Sequence, residues 1–239
     1  MKIDFTDKVV VIAGGTGGLG NAVSRAFLEE NAKVMVTYRR EEEFAALKQG
    51  AGAKVTALEG FALDVTDEAA SSEFIGGVLS RYGRVDALVN TVGGYAGGVK
   101  LWELERKVFD LMLSLNLRSG YALARAVVPA MLKQKHGAIV NVAAKAALDH
   151  GAGASAYAAS KAAVVAMMDS LAADVKGTGV RVNSILPSII DTTVNRRAMP
   201  EADFRAWPKP EEIAQVILFL CSDNATVVHG AAVPVYGNS

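Results

Sequence analysis

Cysteine is nearly missing from this chain of 239 residues: Cys221 is the single one. No intrachain disulfide can form, and the common structural zinc sites, which need two or more thiolates, are excluded. Only three histidines accompany it, so no metal centre is expected, and a lone thiol fits a reducing compartment. Net charge is absent as well. Twenty-five basic and 25 acidic residues cancel, which removes the polybasic footprint of a nucleic-acid binder and the acidic tail of a solvated arm. Long apolar runs are lacking too. The hydrophobic fraction is 51%, yet no stretch reaches the roughly 18 charge-free residues of a membrane-spanning helix. The chain opens Met1, Lys2, Ile3, Asp4 and enters an apolar strand pattern at Val9, leaving no room for the apolar stretch of a signal peptide. A cytoplasmic location is the expectation.

What the chain does have is alternation. The β-branched run Val9 to Ala13 ends in glycines and is followed by Leu19, Val23, Ala26 and Phe27 at helical spacing, which reads as strand, turn, helix. The pattern recurs as a strand near Lys33 to Tyr38, a helix from Glu41, a strand near Val55 to Leu63, a helix from Asp67 to Tyr82 and a strand at Ala87 to Asn90. A long helical stretch from about Glu103 to Lys135 follows, then a strand at Ala138 to Val142, a helix from Ser155 to Lys176 and a strand at Val180 to Leu186 that Pro187 ends. A polar loop runs to Pro210, a helix covers Glu211 to Leu220, and Ala232 to Val235 makes a seventh strand. Without a linker or repeat, this order predicts one α/β domain over residues 1–239: a Rossmann-type, doubly wound parallel sheet of about seven strands with helices on both faces.

Two clusters carry chemistry. Gly14, Gly15, Thr16, Gly17, Gly18, Leu19 and Gly20 lie between the first strand and first helix, where glycine admits a pyrophosphate to the backbone and the helix terminus attracts it. A tight turn is the plainer reading of such a run, and the flanking β-α-β order argues for dinucleotide binding. About 20 residues on, where a carboxylate would hold the ribose hydroxyl of NAD(H), stand Arg39 and Arg40. Guanidinium groups suit the 2′-phosphate of NADP(H); Glu41, Glu42 and Glu43, next in sequence, could instead neutralise them. The second cluster is Tyr157 and Lys161, four apart in a helical stretch and so on one face. An ammonium beside a phenol would lower its pKa from about 10 towards neutrality and make it a general acid or base.

These segments, in this order, resemble the short-chain dehydrogenases/reductases of the single-domain branch over nearly the whole chain. Gly14, Gly18 and Gly20 match the glycines of the family's TGxxxGxG, with Ala13 in place of threonine; Thr16, Gly17 and Leu19 complete the turn. Asp64 and Val65 resemble the pair that contacts adenine. Asn90 to Gly93 stands where the family has NNAG, keeping Asn90 and Gly93. Asn116 matches the helix asparagine that positions a relay water, and Tyr157 with Lys161 matches YxxxK. There the tyrosine is the acid/base and the lysine tunes it and holds the nicotinamide ribose. Asn183, Pro187 and Thr192 resemble the segment lining the nicotinamide, with Ser188 where glycine is usual. The resemblance gives the carboxamide contact to the Ile190 backbone and Thr192, and closure over substrate to the loop at about 188–210, chiefly Thr193 to Pro208.

One departure stands out. Thirteen residues before Tyr157, where many members carry a carbonyl-polarising serine, stands Ala144, beside Ala143. The resemblance therefore implies an NADP(H)-dependent oxidoreductase interconverting a carbonyl and an alcohol, with NADP(H) preferred over NAD(H), and the missing hydroxyl motivates a second reading: an NADP(H)-binding sensor or non-catalytic subunit with little or no turnover. Ser188, Lys145, His150, Ser155 and an ordered water are candidate replacement donors. Among the rest, His136 and His229 read as helix-end or turn histidines, His150 with Asp149 as loop residues on the substrate side, and Met167, Met168 and Leu171 as packing. Family likeness also implies a homo-oligomer, tetramer or dimer, paired through the long helices that begin near Glu103 and Ser155, and a small-molecule carbonyl or alcohol as substrate. No nucleic-acid or membrane partner is expected.

Overall fold

The run Val9–Ala13 becomes β1, buried along its whole length, because short β-branched strands covered on both faces can be apolar throughout. The computed structural model describes residues 3–238. Among them the other strands are β2 (Lys33–Tyr38), β3 (Leu58–Ala62), β4 (Ala87–Asn90), β5 (Gly137–Val142), β6 (Val180–Pro187) and β7 (Ala232–Val235). All neighbours pair in parallel, in the order β3-β2-β1-β4-β5-β6-β7. The helices are α1 (Gly18–Glu29), α2 (Glu41–Ala51), α3 (Glu68–Tyr82), α4 (Arg106–Leu113), α5 (Ser119–Gln134), α6 (Ser155–Asp174), α7 (Thr193–Ala198) and α8 (Pro210–Cys221).

Strand alternation divides the core in two. Val10, Ile12, Val34 and Val36 pack with Phe27 of α1 and Ile217 of α8 on one face; Val9, Val11 and Met35 pack with Ile75 of α3, Leu123 and Val127 of α5 and Val164 of α6 on the other. Each such fully buried side chain contributes roughly 1.5–3 kcal/mol of apolar transfer. From β1 the chain steps outward to β2 and β3, then returns to the other side of β1 for β4. That reversal opens a crevice beyond the carboxyl ends of β1 and β4, where Ala13 faces Asn90 in register, the place where open α/β sheets bind ligands.

Most boundaries fall within one or two residues of expectation, and four differences have identifiable causes. The third strand starts at Leu58 rather than Val55, because Gly52–Ala57 winds into a 3-10 turn. Asp67 is the N-cap of α3 and not its first residue, its carboxylate accepting from the N–H groups of Ala69 and Ala70. The long helix begins at Arg106, is divided by a π-helical segment at Ser114–Arg118, and ends before Lys135, which adopts φ +54°. The polar loop before α8 contains α7, which Thr192 caps by accepting from the N–H of Asn195. No helix among the described residues is long and apolar enough to cross a membrane.

Candidate active site

The glycine turn is tied to the sheet edge by Thr37 of β2, whose hydroxyl accepts from the Gly14 N–H at 3.0 Å and whose carbonyl accepts from the Gly15 N–H at 3.1 Å. A Cβ on Gly20 would lie 2.0 Å from the Gly14 carbonyl oxygen, so the turn folds back on α1 at a distance open only to glycine. Gly17 caps α1 and no side chain bonds to its first-turn N–H groups, which leaves the helix terminus disposed to take an anion. Thr192 reaches over this turn: its methyl would lie 2.9 Å from a Cβ on Gly18. Leu19 anchors the turn in the core.

At the outer end of the crevice the charged residues sort themselves into pairs. Arg39 bonds Asp64 at 2.9 Å, both side chains about half exposed. Burial alone would raise the Asp64 carboxyl, but bonds from the Thr66 N–H and hydroxyl and from Arg39 outweigh it and hold the pKa below the ordinary value. Arg40 is held by Glu43, with Glu42 at 3.9 Å; Glu41 accepts from the Tyr38 phenol. The glutamates thus neutralise Arg40 but not Arg39. Val65, beside Asp64, is buried.

The second cluster assembles at the carboxyl ends of β4 and β5. The π-helical segment turns Asn116 inward to 1% exposure, an added-residue distortion that often marks functional positions. Its Oδ1 accepts from the Gly94 N–H at 2.9 Å, and its Nδ2 donates to the Gly94 carbonyl and the Ser160 hydroxyl, each at 3.0 Å. Lys161 is buried, donates to the Val142 carbonyl at 3.0 Å and lies against Gly93, where a Cβ would be 3.1 Å from its Nζ. Its Nζ is 6.0 Å from the centre of the Tyr157 ring. Asn90 has its side chain bonded to Asn141, Ser119 and the Val92 N–H, so it frames the loop after β4. Residues far apart in sequence, Asn116, Lys161, Tyr157 and Gly93, meet here.

That meeting is matched by kinship. Residues 8–203 fit the family model of the short chain dehydrogenases. The chain belongs to that family. It is similar to the 3-oxoacyl-(acyl-carrier-protein) reductase FabG of Thermotoga maritima, 32% identical over 238 residues that cover 96% of either chain. It is also similar to D-threitol dehydrogenase of Mycolicibacterium smegmatis, 34% identical and covering 99% of this chain and 96% of that one. Among solved structures, ElxO with NADP bound superposes with a TM-score of 0.91 at 25% identity, covering 96% of this chain and 97% of the other.

Thirteen residues before Tyr157 the chain of this short-chain dehydrogenase carries an alanine. Ala144 is buried, extended at φ −167°, and leads into the 3-10 turn Lys145–Ala147. Ser188 donates its hydroxyl to the Tyr236 carbonyl at 2.7 Å, the Lys145 ammonium lies over the Tyr236 ring, and His150 is exposed. Ser155 has a buried hydroxyl without a partner, but two residues from Tyr157 it is about 200° around the helix. It lines a cavity of about 160 Å³ together with Gly97, Gly153 and Val108. A residue that sequence reasoning did not single out, Tyr95, packs its ring edge-on against Tyr157 at 5.0 Å while 70% exposed. Its only sequence signal is an aromatic between glycine pairs, Gly93, Gly94, Tyr95, Ala96, Gly97, Gly98. The other histidines are structural: His229 accepts from the Val182 N–H and its second nitrogen meets the Ala172 carbonyl, and His136 lies 3.7 Å from Asp86.

The expected lowering of the Tyr157 pKa is not what this arrangement produces. Burial, followed by the neighbouring Tyr95 phenol, pushes it up to about 12. The Lys161 ammonium, 6.0 Å from the centre of the Tyr157 ring, is turned to the Val142 carbonyl, and burial drives its own pKa down to about 8. A buried lysine of this kind penalises folding while charged. Below pH 8 both folded and unfolded chains hold the proton; between 8 and 10.5 only the unfolded chain does, so stability rises with pH across that window, by up to roughly 3 kcal/mol. Lys161→Met is expected to flatten that rise in denaturant melts taken from pH 7 to 10. An equal slope in the variant would show that Lys161 is not its source.

Proposed function

We propose that this short-chain dehydrogenase interconverts a carbonyl and an alcohol with NADP(H) in preference to NAD(H), within a single dinucleotide-binding and catalytic domain. The observation that carries this reading is the convergence of Tyr157, Lys161 and Asn116 on the same crevice as the uncapped, glycine-lined start of α1. The residues fit the cofactor. Gly14 and Gly17 to Gly20 would cradle its pyrophosphate, Asp64 and Val65 the adenine, and Arg39 and Arg40 the 2′-phosphate, with Thr16 of the turn on that side, against Glu43. Asn90, Gly93, Pro187, Ser188, Ile190 and Thr192 would line its nicotinamide half, together with Tyr157 and Lys161. When bound, NADP(H) supplies or accepts the hydride. ElxO, similar in fold, has NADP bound, which supports the choice of cofactor.

The protein's own contribution is protonic and positional. Tyr157, with a pKa near 12, stays protonated at neutral pH, which suits donation to a carbonyl oxygen that gains negative charge, the reductive direction. Lys161 holds the ribose side of the crevice, and Asn116 fixes the loop at Gly94 while bridging to Ser160 on the helix of Tyr157. The segment from Thr193 to Pro208 closes the substrate side; its α7 is braced by Arg196, which bonds Asp191 at both oxygens and lies over Phe204. Ala144 favours a second reading, a cofactor binder with little turnover.

Titration of nicotinamide fluorescence tests the proposal: NADPH should bind more tightly than NADH, and equal affinity would contradict it. We also propose a homo-oligomer. Phe109 and Leu111 of α4 and Tyr121 of α5 expose 37%, 50% and 42% of their surface, apolar area on these helices that a second copy could cover. Light scattering should return a multiple of 25.0 kDa; the monomer mass at micromolar protein would refute it.

A further inference from the structure

The three glutamates that open α2 could all be there for the helix dipole, but they diverge. Glu41 turns to Tyr38. Glu42 is 74% exposed and only loosely placed near Arg40. Glu43, at 28% exposure, reaches back to the glycine turn: its Oε2 accepts from the Thr16 hydroxyl at 3.1 Å and its Oε1 from the Arg40 guanidinium. Thr16 and Glu43 are 27 residues apart in sequence, so this contact is made by the fold and not by local chain geometry.

Resting on the NADP(H) reading of the crevice, we propose that Glu43 is a specificity-determining residue of the dinucleotide site. Its carboxylate competes with the 2′-phosphate for Thr16 and Arg40, and so holds the preference for NADP(H) below what two arginines would give. A hydroxyl and a guanidinium converging on one acceptor-only group form a small anion subsite, and in this chain its anion is built in. A phosphate entering there must displace the carboxylate or lie beside a like charge. Arg39 is likewise paired, to Asp64, so each arginine at this end has its own counter-ion. The 2′-hydroxyl of NAD(H) meets no such conflict, since a carboxylate oxygen can accept from it.

Glu43→Gln keeps the shape and an acceptor for Thr16 while removing the charge. It is expected to tighten NADPH by about tenfold and leave NADH unchanged or weaker, so that the ratio of the two dissociation constants moves by at least that factor. Adenosine 2′,5′-bisphosphate, which lacks the nicotinamide half, should tighten by the same factor as NADPH, because the effect is confined to the 2′ end. Calorimetric titration of the full chain at fixed ionic strength reads all three ligands. Glu43→Ala serves as the second variant should the amide perturb folding, and Glu42→Gln, which touches neither Thr16 nor the glycine turn, should move the ratio by less than twofold. An unchanged ratio in both Glu43 variants, a loss of NADPH affinity, or an equal effect from Glu42→Gln would overturn the proposal while leaving the cofactor reading intact. If the unaltered chain binds neither dinucleotide, the cofactor reading itself falls and this inference falls with it.

Discussion

Ala144→Ser is expected to raise kcat/KM for carbonyl reduction, by at most about 100- to 1000-fold, the factor that a single oxyanion donor has been worth elsewhere, or roughly 3 to 4 kcal/mol. The reason is electrostatic. As the carbonyl oxygen gains negative charge, Tyr157 would offer one donor, and position 144, buried two residues beyond the end of β5, would offer only a methyl group. The added hydroxyl is small and meets an extended backbone that any residue adopts. Two of the alternative donors are placed elsewhere: Ser188 bonds Tyr236 and Ser155 lies on the far side of α6. Tyr95 is the side chain that touches the Tyr157 ring. A gain on Ala144→Ser that vanishes with Tyr157→Phe places both groups on one substrate oxygen. A brisk native rate left unchanged by the serine would mean that a donor is already present, and Tyr95→Phe would then be the variant that lowers it.

Arg39→Asp should reverse the cofactor order. Replacing the guanidinium removes a charge-assisted partner of the 2′-phosphate, worth roughly 1.5–3 kcal/mol or about 10- to 150-fold in NADPH affinity, and puts at the end of β2 a carboxylate able to accept from the ribose hydroxyl of NADH. The same change breaks the 2.9 Å bond to Asp64 and leaves two carboxylates side by side, which further disfavours the phosphorylated cofactor. Fluorescence titration of the variant should give tighter NADH than NADPH binding. Retention of the original order would remove Arg39 from the 2′-phosphate site.

What was legible in the sequence is what local chemistry determines. Val9 to Ala13 followed by glycines reads as strand and turn because β-branched residues and positive-φ glycine have few other uses, and β7 was placed at the observed Ala232–Val235. Tyr157 and Lys161 share a helix face because helical spacing requires it. That an alanine stands thirteen residues before Tyr157 is read by counting. What was not legible depends on tertiary context. Ser114 to Arg118 carries no residue that distinguishes a π-helical segment from the continuous helix expected there, so the inward turn of Asn116 emerges only when Gly94 and Ser160 are in place. Helix α7 is short and lies in a polar, proline-bearing stretch, where its cap by Thr192 is a weak signal. Helical spacing gives the wrong direction for the Tyr157 shift, because it says nothing of burial, or of a second phenol brought from the loop after β4. The pairing of Arg39 with Asp64 and of Glu43 with Thr16 joins residues 25 and 27 apart, beyond the reach of any local pattern.

The most direct test of the account is the rate of NADPH oxidation by the purified protein against a panel of ketones, quinones and acyl thioesters, run in parallel with Tyr157→Phe. The account predicts carbonyl-dependent oxidation by the native chain that the phenylalanine variant loses while still binding NADPH. Turnover that survives loss of the phenol, or no turnover of any carbonyl or alcohol by a native chain that binds NADPH, would contradict it.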